Sequence, residues 1–267
     1  MLIVLSPAKR LDVESPPPVT QATQPRFVAE AKTLIATLRR YGPAQLAELM
    51  SLSDTLAALN VARYASWTPV FDASNAKQAL YMFDGDVYDG LEAHSLGEAD
   101  LAYAQDRLRI LSGLYGVLRP LDFMQPYRLE MGTRLPTRRG ADLYAFWGER
   151  IAACLRADLA ALEGRPQVIV NCASAEYFKS VRIEALKATI ITPVFEERTE
   201  RGWKIVSFHA KRARGMMARY AITHRIDDPE QLKGFDEAGY AWDADASDDH
   251  TWRFRREPVG GVASSND

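Results

Sequence analysis

The sequence predicts an α/β fold of the mixed α+β kind, one compact domain over residues 1–256 with a mixed sheet flanked by helices. Three observations carry that expectation. Short apolar runs that stop at polar or turn residues read as buried strands, as in Leu2-Ile-Val-Leu5 before Ser6-Pro7 and Gln167-Val-Ile-Val170 before Asn171. Longer stretches between such runs repeat apolar residues at helical spacing. No internal repeat and no linker with a shift in composition divides the 267 residues, a length that suits one large domain.

The elements follow in order. Residues 12–25 carry Ser15-Pro-Pro-Pro18 and Pro25 and read as an extended loop. Phe27, Ala31, Leu34, Ile35 and Leu38 share one face of a helix that stops at Tyr41-Gly42-Pro43. Helical pattern continues over 44–60, with Ser53 capping the second of two pieces. A helix over 74–82 leads into Phe83-Asp-Gly-Asp-Val-Tyr-Asp-Gly90, whose Asp-Gly pairs mark turns. Residues 98–112 form an amphipathic helix on Leu101, Ala104, Leu108 and Leu111 that ends at Gly113-Leu-Tyr-Gly116. The prolines and glycines from Pro120 to Pro136 predict an irregular, functional loop. A helix over 141–162 precedes the strand at 167–170. Residues 189–197 and 203–208 make a hairpin turning at Glu200-Arg201-Gly202, after which the chain enters a helix near Ala210. Residues 252–255 form a late strand, and 257–267 a flexible tail.

Composition bounds the function. Hydrophobic residues at 47% and charged residues at 25% describe a soluble protein with a substantial core. A net charge of -2 gives the whole molecule no general attraction to nucleic acid, yet the charge is segregated along the chain. Residues 198–225 hold eight Lys/Arg against Glu200 alone, and residues 107–139 hold seven Arg against Asp122 and Glu130. Residues 227–249 hold nine Asp/Glu against Lys233. That pattern fits one positive working face and an acidic back. Cys154 and Cys172 make no disulfide framework, and neither they nor His94, His209, His224 and His250 have metal-ligand spacing. No phosphate-binding loop, dinucleotide fingerprint or nucleophile elbow occurs, so no metal and no cofactor is expected. The apolar N-terminal run is too short for a signal peptide and nothing approaches a membrane span, which predicts a cytoplasmic protein without a membrane partner. The oligomeric state is not legible, and a monomer is the default.

Three polar clusters stand where strands are expected to end: Ser6-Pro-Ala-Lys9, Asn171-Cys-Ala-Ser174 and His209-Ala-Lys-Arg212. Parallel strands would bring them to one crevice. Lys9 and Lys211 then offer point charges, while Asn171, Ser174 and the following helix start offer donors for an anion. The plainer alternative is that Ser6 and Asn171 only cap the next element. In the basic helix, Ala210, Ala213, Met216, Met217 and Tyr220 form the apolar stripe. Lys211, Arg212, Arg214 and Arg219 fan over the other side, where Gly215 would let a phosphate approach closely.

A second constellation is Leu108 to Arg119, a helix running into the glycine-bounded turn of Ser112, Gly113, Leu114, Tyr115 and Gly116. A helix-hairpin-helix module uses such a turn to aim backbone N–H groups at a DNA phosphate, with Arg119 adding charge. Tyr115 is one residue more than the usual Gly-apolar-Gly, and Pro120 leaves barely one turn for a second helix, so a structural turn with Gly113 as C-cap stays open. Tyr127 beside Arg128 pairs a stacking surface with a phosphate ligand, and a half-buried tyrosine is the alternative.

Taken together these motifs resemble the YaaA family of bacterial peroxide-stress proteins. The resemblance runs in order through Ser6–Lys9, Phe83–Tyr88, Leu111–Asp122, Pro126–Gly132, Leu143–Trp147, Asn171–Phe178 and Phe208–Gly215. It implies a single α/β domain, a protein of the hydrogen peroxide response tied to low free iron, and DNA binding through a helix-hairpin-helix element and a positive cleft. By position the hairpin is Ser112 to Gly116, and the cleft belongs to Lys9, Arg128, Lys211, Arg212 and Arg214. The leading expectation is therefore a non-enzymatic binder of double-stranded, branched or damaged DNA without strong sequence preference. The rival is an enzyme on a nucleobase or nucleotide, with Lys9, Asn171 and Ser174 as its catalytic candidates. Lys9 in a deep apolar pocket beside Asn171 would favour the enzyme, and Lys9 on an open groove the binder.

Overall fold

In the computed structural model, which describes residues 1–162 and 164–257, the apolar N-terminal run becomes the centre of the sheet. Strand β1 (Leu2–Leu5) is buried along its whole length, as a strand covered by helices on both faces must be. The loop after it holds the two-residue strand β2 (Arg10–Leu11). Helices α1 (Val28–Leu38), α2 (Pro43–Met50) and α3 (Asp54–Ser66) follow, with the Ser53 hydroxyl accepting from the Leu56 amide at the start of α3. Next come β3 (Lys77–Gln78), α4 (Ala79–Met82), β4 (Phe83–Asp84) and α5 (Asp86–Leu91). The expected helix over 74–82 is thus cut to its last turn. Gln78 is buried and donates to the carbonyls of Val19 and Gln21, while the Lys77 ammonium reaches the Ser15 carbonyl at 2.9 Å, so this segment straps down the proline-rich loop.

Helix α6 (Glu98–Arg107) ends five residues earlier than its apolar spacing predicts, because Leu108–Ser112 is strand β5, paired in parallel with β1. Leu108, Ile110 and Leu111 are fully buried there, and Arg109 is buried with them because its Nε donates to Asp158 at 2.6 Å. The chain turns directly into β6 (Gly116–Leu118), antiparallel to β5, and a short β7 (Phe123–Met124) lies in the loop beyond. Residues 108–118 are a β-hairpin, and no second helix follows the turn. The predicted helix 141–162 is two helices, α7 (Leu143–Trp147) and α8 (Arg150–Ala160), interrupted at Gly148.

Strand β8 (Val168–Asn171) lies parallel to β1 on its other side, and short helices α9 (Ala175–Phe178) and α10 (Ile183–Leu186) lead to the long β9 (Thr189–Thr199), parallel to β8. The hairpin predicted at 189–208 turns where expected, but β10 covers only Gly202–Lys204, and helix α11 (Ser207–Thr223) starts three residues before Ala210. Lys204 pairs with Glu197, the innermost β9 residue that β10 reaches. Strands β11 (Ala241–Asp243) and β12 (Thr251–Arg256) complete the edge, with β12 parallel to β9. The main sheet runs β11-β12-β9-β8-β1-β5-β6, with β10 also paired to β9; its middle is parallel and its edges antiparallel. The mixed sheet flanked by helices is the fold the sequence predicts. Of the tail, only Glu257 is described, and 258–267 lie outside the described residues.

Gly215 serves packing rather than phosphate approach. Helix α11 crosses α5 so closely that a Cβ at Gly215 would come within 1.8 Å of the Val87 carbonyl oxygen, and one at Gly90 within 2.1 Å of that of Arg212. Backbone meets backbone there, and the stretch of α11 at Gly215 read as open to a phosphate is covered.

Candidate functional site

Because β1, β5 and β8 run parallel, their carboxyl ends reach the same edge of the sheet. Ser6 leaves β1 and Ser174 follows β8, and the two are stitched together: the Ser174 amide donates to Ser6 Oγ at 2.8 Å, and the Ser6 hydroxyl donates to Ser174 Oγ at 3.3 Å. Ser174 also accepts from the Tyr177 amide as the cap of α9. The seam forms one wall of a cavity of about 560 Å³. The segment 84–88 supplies a second wall, the loop 127–130 a third, and Lys211 and Arg214 of α11 close the fourth. The third polar cluster therefore arrives on the first turns of a helix, since β10 ends at Lys204.

The charge of the cavity is mixed. Lys9, Arg10, Arg128, Lys211 and Arg214 line it together with Asp84, Asp86, Glu130 and Glu176. One Glu130 oxygen bridges Arg128 at 2.6 Å and Lys9 at 3.3 Å, Asp84 holds Arg10 at 2.6 Å, and Asp86 lies 3.8 Å from Lys211. Glu176 accepts from the Gly132 amide at 2.8 Å. Arg214 differs from its neighbours: among the described residues it makes no ion pair and no side-chain hydrogen bond. Arg128 keeps its Nε buried and without an acceptor.

Tyr88, Tyr127 and Tyr177 make the inner surface, with Cys172 beside them. The Tyr88 hydroxyl donates to the Ser6 carbonyl at 3.0 Å, and Tyr127 shares a 2.6 Å bond with Ser112. Desolvation pushes all three phenols above their ordinary range. Burial likewise pushes the Cys172 thiol up to about 12, against the pull of the Arg214 charge. At neutral pH these groups are neutral, able to hydrogen-bond or stack and unable to act as anionic nucleophiles. Lys9, with 72% of its side chain exposed, stands on the rim rather than in the apolar burial that activates an amine.

The sequence matches the family described as "Peroxide stress protein YaaA" over residues 1–246. The chain belongs to that family. Among curated proteins, a "UPF0246 protein" of Paraburkholderia phytofirmans is 61% identical over 259 residues, covering 97% of this chain and 100% of the relative. A "UPF0246 protein" of Cupriavidus metallidurans is 60% identical over 257 residues, with 96% and 98% covered, and one of Burkholderia mallei is 59% identical over 256 residues with the same coverage. Family membership brings the peroxide-stress description to this chain and adds nothing to the geometry.

Of the residues singled out in this YaaA-family sequence, Lys9, Tyr127, Arg128, Ser174, Lys211 and Arg214 line the cavity. Asn171 does not: it is buried below the seam, where its side-chain oxygen accepts from the Ala173 amide at 3.1 Å. Arg212 points across α11 into a separate cavity with Phe208 and His209. Arg119 is taken up by Asp122, at 2.9 Å and fully buried. The turn expected to present amides to DNA is closed to it. Ser112, Leu114 and Tyr115 are 0% exposed, and Gly113 and Gly116 are buried between them. The Ser112 hydroxyl accepts from the Tyr115 amide, the Tyr115 hydroxyl accepts from Trp67 Nε1 at 3.0 Å, and the Gly113 carbonyl accepts from Trp147 Nε1 at 3.0 Å. The backbone groups meant for a phosphate face a packed interior.

Sequence reasoning missed Tyr88, Tyr177 and the four carboxylates of the cavity. The Phe83-Asp-Gly-Asp-Val-Tyr88 run was the available signal, since two aspartates around a glycine are dense for a simple turn. Among the described residues no group of three or more His, Cys, Asp or Glu is placed to hold a metal ion, and no helix is long and apolar enough to cross a membrane.

Proposed function

We propose that this protein serves the peroxide-stress response by binding DNA at the cleft, without strong sequence preference. The observation that carries the reading is Arg214, a cation lining a concave site whose other cations are matched by carboxylates. An unpaired guanidinium in a partly enclosed site favours an anion, and a backbone phosphate supplies one whose two non-bridging oxygens accept from the planar guanidinium fork. Lys211 and Lys9 stand beside it on the rim, with pairing loose enough for a second phosphate to compete for them. The cavity takes a nucleotide unit and is far too small for a duplex, so the reading favours DNA whose strand is nicked, branched or damaged over intact duplex.

A second reading, an enzyme acting on a free nucleotide or nucleobase, is favoured by the same enclosed volume, which falls in the range of small-molecule sites. It keeps Arg214 for the phosphate and loses the roles first given to Lys9 and Asn171. Titration of duplex, nicked and branched DNA at two salt concentrations, with a nucleoside monophosphate as competitor, separates the two. The proposal expects nicked or branched DNA to bind best, affinity to fall steeply with salt, and the mononucleotide to compete weakly. Tight mononucleotide binding with no measurable DNA binding would replace it with the enzyme.

A further inference from the structure

Helix α11 divides two cavities. Lys211 and Arg214 face the cleft, whereas Phe208 and Arg212, one turn apart, line a second cavity of about 470 Å³ on the opposite side. The segment from Lys204 to Arg212, which reaches this cavity at Phe208, His209 and Arg212 and forms its lip, combines two unusual features. Ile205 and Phe208 are each 56% exposed and Val206 lies between them, so three of the chain's large exposed apolar residues fall within four positions. Lys204 precedes them and Arg212 follows one turn after Phe208, and neither has an ion pair among the described residues. The carboxylate of the cavity, Glu197, is already engaged: His209 Nδ1 approaches it at 2.7 Å, Arg256 at 2.7 Å, and the Tyr240 hydroxyl donates to it at 3.1 Å. Lys204, the cross-strand neighbour of Glu197, shares that face of the sheet.

We propose that this lip is a base-stacking platform for a single-stranded polynucleotide, with a base on the Phe208 ring and the flanking phosphates on Arg212 and Lys204. Exposed aromatic surface set among unneutralised cations is the chemistry that holds single strands, because each base offers a flat face and each linkage a charge. A duplex hides its base faces and gains nothing from Phe208. A second copy of the chain is a poor occupant, since an isologous contact would bring two copies of the unneutralised pair Lys204 and Arg212 to one interface. The inference rests on the reading that the protein binds nucleic acid, and adds a second subsite on the far side of α11 from Arg214.

The test compares the full-length protein with Phe208→Ala and Phe208→Trp, using a thymidine strand, the matching uridine strand and a duplex, each read by fluorescence anisotropy. A fluorescent base analogue quenched by stacking reports the contact itself. Phe208→Ala weakens the single strands roughly tenfold and abolishes the quenching, leaves the duplex unchanged, and is rescued by Phe208→Trp. Phe208 is exposed, so the variants fold and a null result is informative. Unchanged single-strand affinity, an equal loss on duplex, or an effect confined to self-association in light scattering overturns the platform. Arg214→Glu keeps the two readings apart: loss of DNA binding there, with Phe208→Ala silent, leaves the cleft standing and removes only the platform.

Discussion

The cleft and the hairpin look alike in sequence and opposite in structure. Each offers glycine or serine, an aromatic residue and nearby arginines, the set that a phosphate-binding turn uses. In the cleft those residues end strands at an open edge, and Arg214 stays unpaired. In the hairpin they fill the interior: Arg119 is consumed by Asp122, and Tyr115 is consumed by Trp67. Small residues in a tight turn thus answer two different demands, backbone approach to a ligand and backbone approach to the core. Only burial tells them apart.

The largest expected effect breaks the comparison from the hairpin side. A Cβ at Gly113 would lie 2.2 Å from the Leu129 carbonyl oxygen, which belongs to a buried backbone with no room to shift. Gly113→Ala costs about 3 kcal/mol or more, visible as a drop of about 5 °C or more in Tm, while DNA affinity per folded molecule is unchanged. Lost DNA affinity with an unchanged melting curve would return the hairpin to the binding surface.

A smaller effect sharpens the cleft side. The Cys172 thiol ionises at about 12 in the folded protein against 9.0 for an ordinary one, so the unfolded chain releases this proton first as pH rises. Its contribution to stability is complete below pH 9 and is lost between about pH 9 and 12, amounting to about 1.4 kcal/mol by pH 10. Urea titrations at pH 8 and pH 10 measure it. Cys172→Ala loses less stability over that interval than the wild type, and an identical loss in both would mean that the thiol is more open to solvent than its position implies.

Much of the fold was legible because it rests on local patterns. The buried run at Leu2–Leu5, the proline-rich loop and the cap at Ser53 all follow from neighbouring residues. Strand β5 was not legible, since Leu101, Ala104, Leu108 and Leu111 continue a helical spacing into it, and only pairing with β1 decides the matter. The same limit applied to the site. The convergence of Lys9, Ser174 and Lys211 followed from strand ends in a parallel sheet, whereas the carboxylates that match Lys9, Arg10 and Lys211 come from segments distant in sequence, and Glu130, two residues from Arg128, serves both it and Lys9. The positive cleft expected from charge runs is for that reason nearly balanced, and its unpaired cation emerges only when the partners of all five are known.

The central claim is that Arg214 anchors a phosphate of bound DNA. The most direct measurement is the salt dependence of nicked-DNA affinity for the wild type and Arg214→Glu, with Tm recorded for both. The account predicts at least a tenfold loss at low salt, a log–log slope shallower by about one unit, and a Tm within about 2 °C of the wild type. Equal affinities and equal slopes for the two proteins would contradict it.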